Sequence, residues 1–191
     1  MNEIGLIRAQ LATERRNVGA VAAACATTLA RAGPATLPSG SALDEFRQAC
    51  VDYLVCVLAW FEERDRRLAA LVQQLGPAHP ARDALDEVLA RRGGSREVLE
   101  KLEAAFAHVP GPAGAAEGAQ AWQEFAQYLG KQWSTRRDAL EALLAPLGAT
   151  DWRAFSGIDA DGILEERTRL GRVRQTLPAG VTLAATPPRG A

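Results

Sequence analysis

Apolar residues recur every three or four positions along several stretches of the chain, which is the period of an α-helix with one buried face. Residues 3–31 carry this pattern and are predicted to form a first helix, which a Gly-Pro pair at 33–34 terminates. A second helix is predicted over 41–75, with Ser41 as its N-cap and another Gly-Pro pair at 76–77 after its end. No window alternates apolar and polar residues, so the pattern predicts an all-α fold.

The remaining apolar stripes predict three further helical regions. A shorter helix covers about 81–92, and after a break at Gly93-Gly94 its apolar stripe continues to Phe106. A fourth long helix covers about 117–147, and its predicted buried residues are Trp122, Phe125, Leu129, Leu140, Leu143 and Leu147. Thr150 or Asp151 is then predicted to cap a short turn. A last helix is predicted over about 159–177.

These elements fit one domain rather than several. The sequence predicts an up-down-up-down four-helix bundle with an extra C-terminal helix, which occupies residues 1–177. Residues 178–191 are rich in proline and glycine and are predicted to form a flexible tail. An apolar run at 18–30 follows two arginines, as in a signal peptide, but it is mostly alanine and has acidic residues before it, so we assign it to the first helix.

Each of the four long stripes is interrupted once by a charged residue on its inward face. The interruptions are Glu14, Arg64, Arg92 and Arg136. An isolated charge in a protein core is costly, so such residues must reach solvent, pair with each other or meet a ligand. All three arrangements remain open from the sequence: arginines that extend to solvent, a buried network of Glu14 with arginine, or a cationic pocket for an anionic small molecule.

The pocket hypothesis names a central site at the level of these interruptions. Aromatic walls and a polar amide would complete it. The candidate ligand-binding residues are Glu14, Trp60, Arg64, Arg92, Gln132 and Arg136.

Composition narrows the class of partner. Lysine and arginine number 22 and aspartate and glutamate 23, so no global field attracts nucleic acid or an anionic membrane. No stretch approaches the length of a membrane span. Cys25, Cys50 and Cys56 form no CxxC pair and are predicted to be buried, reduced thiols, which indicates a cytoplasmic protein.

Several motifs are similar to those of the bacterial hemerythrin-like (HHE cation-binding) family, over about residues 4–155. Ile7-Arg8-Ala9-Gln10-Leu11 stands where such domains often open with Ile-Arg-x-Glu-His. Tyr53-Leu54 and then 60–65 stand where the second helix carries Tyr-Leu and His-His-x-x-Glu-Asp. Residues 132–137, followed by Pro146 and Asp151-Trp152, stand where the fourth helix carries His-Met-x-x-Glu-Glu and then a proline and Asp-Trp.

The resemblance implies a four-helix bundle that would hold two non-haem irons, but every matched ligand position departs from the family. These positions are Leu11, Trp60, Arg64, Arg92, Gln132 and Arg136. Iron requires imidazole nitrogen or carboxylate oxygen, and the only histidines, His79 and His108, are predicted in loops or at helix ends.

We therefore expect no metal, no cofactor and no enzymatic activity. The predicted function is a non-catalytic binding or regulatory module. Its predicted partner is an unidentified protein or a small anionic ligand, and homodimerisation is an alternative.

Residues 42–54, with Glu63-Arg64 beyond, are also similar to the regulator-of-sigma-D family, whose helical proteins sequester the principal sigma factor. This second resemblance implies an alternative function as a sigma-factor-binding protein. A third and weaker hypothesis is a di-iron oxygen-binding or redox protein.

Overall fold

The computed structural model is helical wherever it shows regular secondary structure. The residues that it describes are 2–31, 41–74, 82, 85–86, 100, 120–125, 127–129, 144–145 and 147–183. Four helices have defined bounds: α1 (Glu3–Arg31), α2 (Ser41–Gln73), α3 (Ala149–Ser156) and α4 (Ala160–Gln175). Residues 120–125 and 127–129 are also helical. The all-α prediction is confirmed, and the predicted bounds of the first, second and last helices agree to within about two residues.

An aspartate side chain accepts a backbone hydrogen bond at the start of α3, and another does so at the start of α4. The Asp159 side chain precedes α4 and accepts a hydrogen bond from the Gly162 N–H at 2.7 Å, which caps the helix. The Asp151 carboxylate accepts from the Gly148 N–H at 3.0 Å. The prediction of Thr150 or Asp151 as the cap was wrong, because α3 begins at Ala149 and both residues lie inside its first turn.

Buried apolar side chains form two separate clusters. The larger, the upper cluster, consists of Val18, Val21, Ala24, Cys25, Leu43, Phe46, Ala49, Cys50, Tyr53, Leu54, Val57, Leu58, Phe61, Trp122, Phe125, Leu129, Leu170, Val173 and Val181. The smaller, the lower cluster, consists of Ile7, Leu68, Val72, Leu85, Leu144, Trp152 and Phe155. The hydrophobic effect at these two sites drives the packing of α1, α3 and α4 around α2, which contacts all three.

The clusters establish the direction of the helices. Ile7, early in α1, shares the lower cluster with Leu68, late in α2. Val21, late in α1, shares the upper cluster with Phe46, early in α2. The two helices are therefore antiparallel.

One apolar residue of α4 lies outside the buried stripe of that helix. Leu170 and Val173 are buried, but Leu164 is 64% exposed. The reason is register, because the spacing of three and four runs through Ile163, residue 166, Leu170 and Val173 and leaves Leu164 on the outer side. Val181, which the sequence analysis assigned to the tail, is buried in the upper cluster.

Several predicted elements lie outside the described residues. These are most of the helices over 81–92 and 117–147 and the end of the tail, 184–191. Of the buried positions predicted for 117–147, Trp122, Phe125 and Leu129 are buried in the upper cluster. Among the helices that the structure describes, none is both long and apolar enough to cross a membrane.

Gly157 ends α3 in a conformation that favours glycine. Its φ is +53°, and the Arg67 guanidinium of α2 occupies the space that a Cβ would fill. We expect Gly157→Ala to lower the free energy of unfolding by about 1 to 2 kcal/mol, since the left-handed conformation disfavours an L side chain. Urea denaturation followed by circular dichroism measures this change.

Gly171 is the matched control for this substitution. It lies within α4, and no atom is within 4 Å of a Cβ built on it. Gly171→Ala is expected to raise stability by about 0.5 to 1 kcal/mol, because alanine loses less backbone entropy in a helix. Equal effects of the two substitutions would contradict this account of Gly157.

Candidate functional site: a buried charge layer

Glu14 of α1 and Arg64 of α2 form a buried ion pair. Their side chains are 3% and 8% exposed, respectively. Arg64 Nη1 donates to Glu14 Oε2, and Arg64 Nη2 donates to Glu14 Oε1 at 3.1 Å. Two parallel hydrogen bonds of this kind are the strongest geometry that arginine makes with a carboxylate. The pair therefore connects α1 to α2 in the interior rather than at the surface.

Arg64 also contacts the end of α3. Its Nε donates to the backbone carbonyl of Ser156 at 2.8 Å. The last carbonyls of a helix have no partner within the helix and carry partial negative charge, so a guanidinium is a favourable donor there. Arg64, on α2, thereby connects that helix to α1 and α3. Its guanidinium also lies 5.7 Å from the centre of the Phe61 ring.

A second carboxylate, Glu166 of α4, is buried close to this pair. It is only 3% exposed. Its Oε1 accepts hydrogen bonds from Asn17 Nδ2 at 2.9 Å and from the Tyr53 hydroxyl at 3.1 Å. These donors come from α1 and α2, so Glu166 connects α4 to the same two helices.

Gln10 bridges the two carboxylates. Its Nε2 donates to Glu14 Oε1 at 3.4 Å and to Glu166 Oε2 at 3.3 Å. An amide NH₂ has two hydrogens, so one group can serve both acceptors. The long distances indicate weak bonds, but the amide places a donor between two like charges that would otherwise repel.

Together these side chains form a polar layer, defined as Gln10, Glu14, Asn17, Tyr53, Arg64 and Glu166. Along α1 the layer falls between Ile7 of the lower cluster and Val18 of the upper cluster. Along α2, Arg64 falls between Phe61 and Leu68 in the same way. The ion pair thus lies between the two apolar clusters along both helices, whereas Tyr53 belongs to the upper cluster and contributes its hydroxyl to the layer.

The structure brings together two of the six predicted site residues. Glu14 and Arg64 are in contact, and neither extends to solvent. Trp60 is half-buried and packs against the upper cluster. Arg92, Gln132 and Arg136 lie outside the described residues, so their convergence with Arg64 remains a prediction.

Glu166 was not among the residues predicted from the sequence, although its position follows the same pattern. Ile163, Glu166, Leu170 and Val173 follow the same spacing of three and four that identified Glu14 and Arg64. Charged interruptions were sought only in the four long stripes, and the last helix was not one of them. The role of the Ser156 carbonyl could not be predicted from the sequence, because every residue type has a backbone carbonyl.

The charge run at 62–67 is divided between core and surface. Arg64 and Asp65 are buried, whereas Arg66 and Arg67 are exposed. Glu63 pairs with Arg67 at 3.1 Å, and Arg66 also contacts Glu63. These outer pairs contribute little, because water screens them.

Burial changes the proton affinity of groups beside the layer. Burial and the negative charge of Glu166 raise the pKa of Tyr53 above its usual range. Burial likewise raises the pKa of Cys56 to about 11, since its thiol is shielded on α2 and lies near Glu165. Both groups are therefore neutral at physiological pH.

Among the described residues, no three histidine, cysteine, aspartate or glutamate side chains are grouped so that they could hold a metal ion. Comparison of the chain with protein-family models, with curated proteins and with solved structures gives no match. Both family resemblances therefore stay predictions from short motifs. In the segment that is similar to the sigma-factor-binding family, Phe46, Tyr53 and Leu54 are buried, so those residues account for packing rather than for a binding surface.

Arg64→Met is expected to lower the free energy of unfolding by about 3 to 5 kcal/mol, because it leaves the Glu14 carboxylate buried without its cation. Combining it with Glu14→Leu should recover much of that loss, since no uncompensated charge then remains. Arg66→Met, on the exposed side of the same helix, is the matched control and should cost less than about 0.5 kcal/mol. Equal costs for Arg64→Met and Arg66→Met would contradict a paired core charge.

Stability is expected to fall as the pH rises above about 9 to 10. In the unfolded chain Tyr53 and Cys56 lose their protons near their ordinary pKa values of 10.0 and 9.0, whereas in the native chain both pKa values are raised. The native state then binds more protons than the unfolded state. These groups therefore lower the free energy of unfolding only above this range, by up to about 1.4 kcal/mol per pH unit for Tyr53 and by less for the partly buried Cys56.

Urea titrations at a series of pH values measure this decline. Tyr53→Phe removes one of the groups and should reduce the slope above pH 10, although it also loses the hydrogen bond to Glu166. The same slope in Tyr53→Phe and in the parent protein would show that Tyr53 is not a source of the alkaline destabilisation.

Proposed function

We propose that this chain is a non-catalytic binding or regulatory module, built as a degenerate hemerythrin-like bundle in which an ionic network stands in for the metal site. The observation that carries the proposal is the bidentate contact of Arg64 with Glu14. Arg64 occupies a position that the family resemblance assigns to a metal ligand. A guanidinium cannot bind a cation there, but it can supply the positive charge that a buried carboxylate needs.

Two further positions support this interpretation. The resemblance assigns histidine to the places of Leu11 and Trp60. Leu11 packs against the lower cluster and Trp60 against the upper cluster, so each adds apolar contact. In a former metal site of this kind, apolar residues replace two of the ligands and arginine replaces the cation. Both changes fill the site without leaving a buried polar group unpaired.

The proposed architecture is the up-down-up-down four-helix bundle with α4 appended. The antiparallel arrangement of α1 and α2 supports it, as does the presence of helical residues 120–125 and 127–129 beside the upper cluster. In this architecture the polar layer lies across the centre of the bundle and braces it. The partner would then bind to the outer surface and not to the layer.

The alternative within this proposal is an anionic small molecule held by the layer. The described contacts of Arg64 favour bracing, because Nε, Nη1 and Nη2 each already donate to a protein oxygen. A ligand would have to displace Glu14 or Ser156 from the guanidinium. An anion site would therefore depend on Arg92 and Arg136.

Iron content and anion binding test the proposal together. Protein purified from iron-supplemented cells should contain far less than one iron per chain by elemental analysis, and a stoichiometric value would refute a metal-free module. Addition of phosphate, sulfate or citrate should change the thermal midpoint of Arg64→Met and that of Arg66→Met by the same amount. A shift that appears in Arg66→Met and the parent but disappears in Arg64→Met, Arg92→Met or Arg136→Met would favour the anion pocket over the bracing role.

A further inference from the structure

Two buried cysteines lie at the interface of α1 and α2, and neither takes part in the polar layer. Cys25 is 2% exposed and Cys50 is fully buried. Both belong to the upper cluster and both are free thiols. Cys56 is the third free thiol, and it is only partly buried.

The register of the two helices places Cys25 opposite Cys50. Glu14 and Arg64 are in contact, Cys25 follows Glu14 by eleven residues, and Cys50 precedes Arg64 by fourteen. The helix rises about 1.5 Å per residue. The distance from Arg64 to Cys50 along α2 therefore exceeds the distance from Glu14 to Cys25 along α1 by about 4.5 Å. Side chains lean toward the N-terminus of their helix, which brings the Arg64 guanidinium nearer to Cys50 and the Glu14 carboxylate farther from Cys25. Both displacements reduce the difference.

The faces of the helices also agree. Positions 14, 18, 21 and 25 follow a spacing of four, three and four, so Cys25 lies on the face of α1 that carries Glu14. Positions 50, 53, 57, 61 and 64 place Cys50 on the face of α2 that carries Arg64. A hydrogen bond between the two thiols, together with burial, raises the pKa of Cys50 above its usual range, which is consistent with this juxtaposition.

We propose that Cys25 and Cys50 are a site of oxidative modification, at which a peroxide converts the two thiols to an intramolecular disulfide that joins α1 to α2. Hydrogen peroxide oxidises one sulfur to the sulfenic acid and releases one water. The second sulfur then attacks the sulfenic sulfur, the S–S bond forms, and the hydroxyl group leaves as a second water with the thiol proton. The two electrons pass from the sulfur pair to the peroxide.

The disulfide would act on the helices that the ion pair already holds. It would close the loop between residues 25 and 50, which contains the connection from α1 to α2. Such a cross-link lowers the conformational entropy of the unfolded chain and so favours the native state. Because both thiols are shielded from solvent, the reaction requires a transient opening of the upper cluster and is slow in the fully folded chain.

Peptide mapping of the full chain tests the assignment. The protein is treated with hydrogen peroxide in native buffer, the remaining thiols are alkylated, and the disulfide is located by mass spectrometry without reduction. Three pairings of the three cysteines are available, and the native chain should give Cys25–Cys50 with Cys56 alkylated. Oxidation in concentrated urea is the control and should give a mixture of pairings.

The variants separate the pair from its neighbour. Cys56→Ala should form the cross-link as the parent does, whereas Cys25→Ala and Cys50→Ala should form none within one chain. The oxidised parent should unfold at a temperature higher than the reduced protein by roughly 5 to 10 °C.

Three results would overturn the proposal: a native cross-link through Cys56, persistence of both buried thiols after exhaustive oxidation, or an oxidised chain that unfolds at a lower temperature than the reduced one. Each is read on the parent protein, so the test does not depend on the folding of any variant.

Discussion

The ion pair of Glu14 with Arg64 constrains the rest of the described structure. These two buried charges cannot be left without partners, because the cost of desolvating either charge exceeds that of losing an ordinary contact. The two residues belong to different helices, so their pairing fixes how far α1 and α2 are displaced along each other. A slip of one helical turn would leave both charges in an apolar cluster.

The remainder of the polar layer extends this constraint to the other described helices. Arg64 satisfies a terminal carbonyl of α3, and Glu166 accepts from side chains of α1 and α2. A buried ion pair is weak evidence for stability, since apolar residues of the same volume often do as well. Its clearest physical effect is on register, because apolar side chains tolerate many packings whereas a bidentate pair tolerates one.

The same register bears on both the function and the oxidation chemistry that we propose. If the layer braces the bundle, its charges are already engaged within the chain, and recognition falls to the outer surface. The cysteine pair lies on the faces that the ion pair brings together, so the thiols meet as a result of the same alignment. Arg64 and Cys50 thus have unrelated chemistry but a common geometric cause.

The sequence by itself determined the helices and the inward faces of α1 and α2, because the period of apolar residues depends only on local backbone geometry. It also identified Glu14 and Arg64, since a charge at an inward position is visible in one helix alone. It missed Glu166, because charged interruptions were sought in the four long stripes and not in the last helix, where Glu166 is buried and Leu164 is exposed. Only the tertiary structure decided which charge meets which, that the Ser156 carbonyl is an acceptor, and that Cys25 faces Cys50. Those contacts join residues far apart in the chain, and periodicity within one helix carries no information about the register between two.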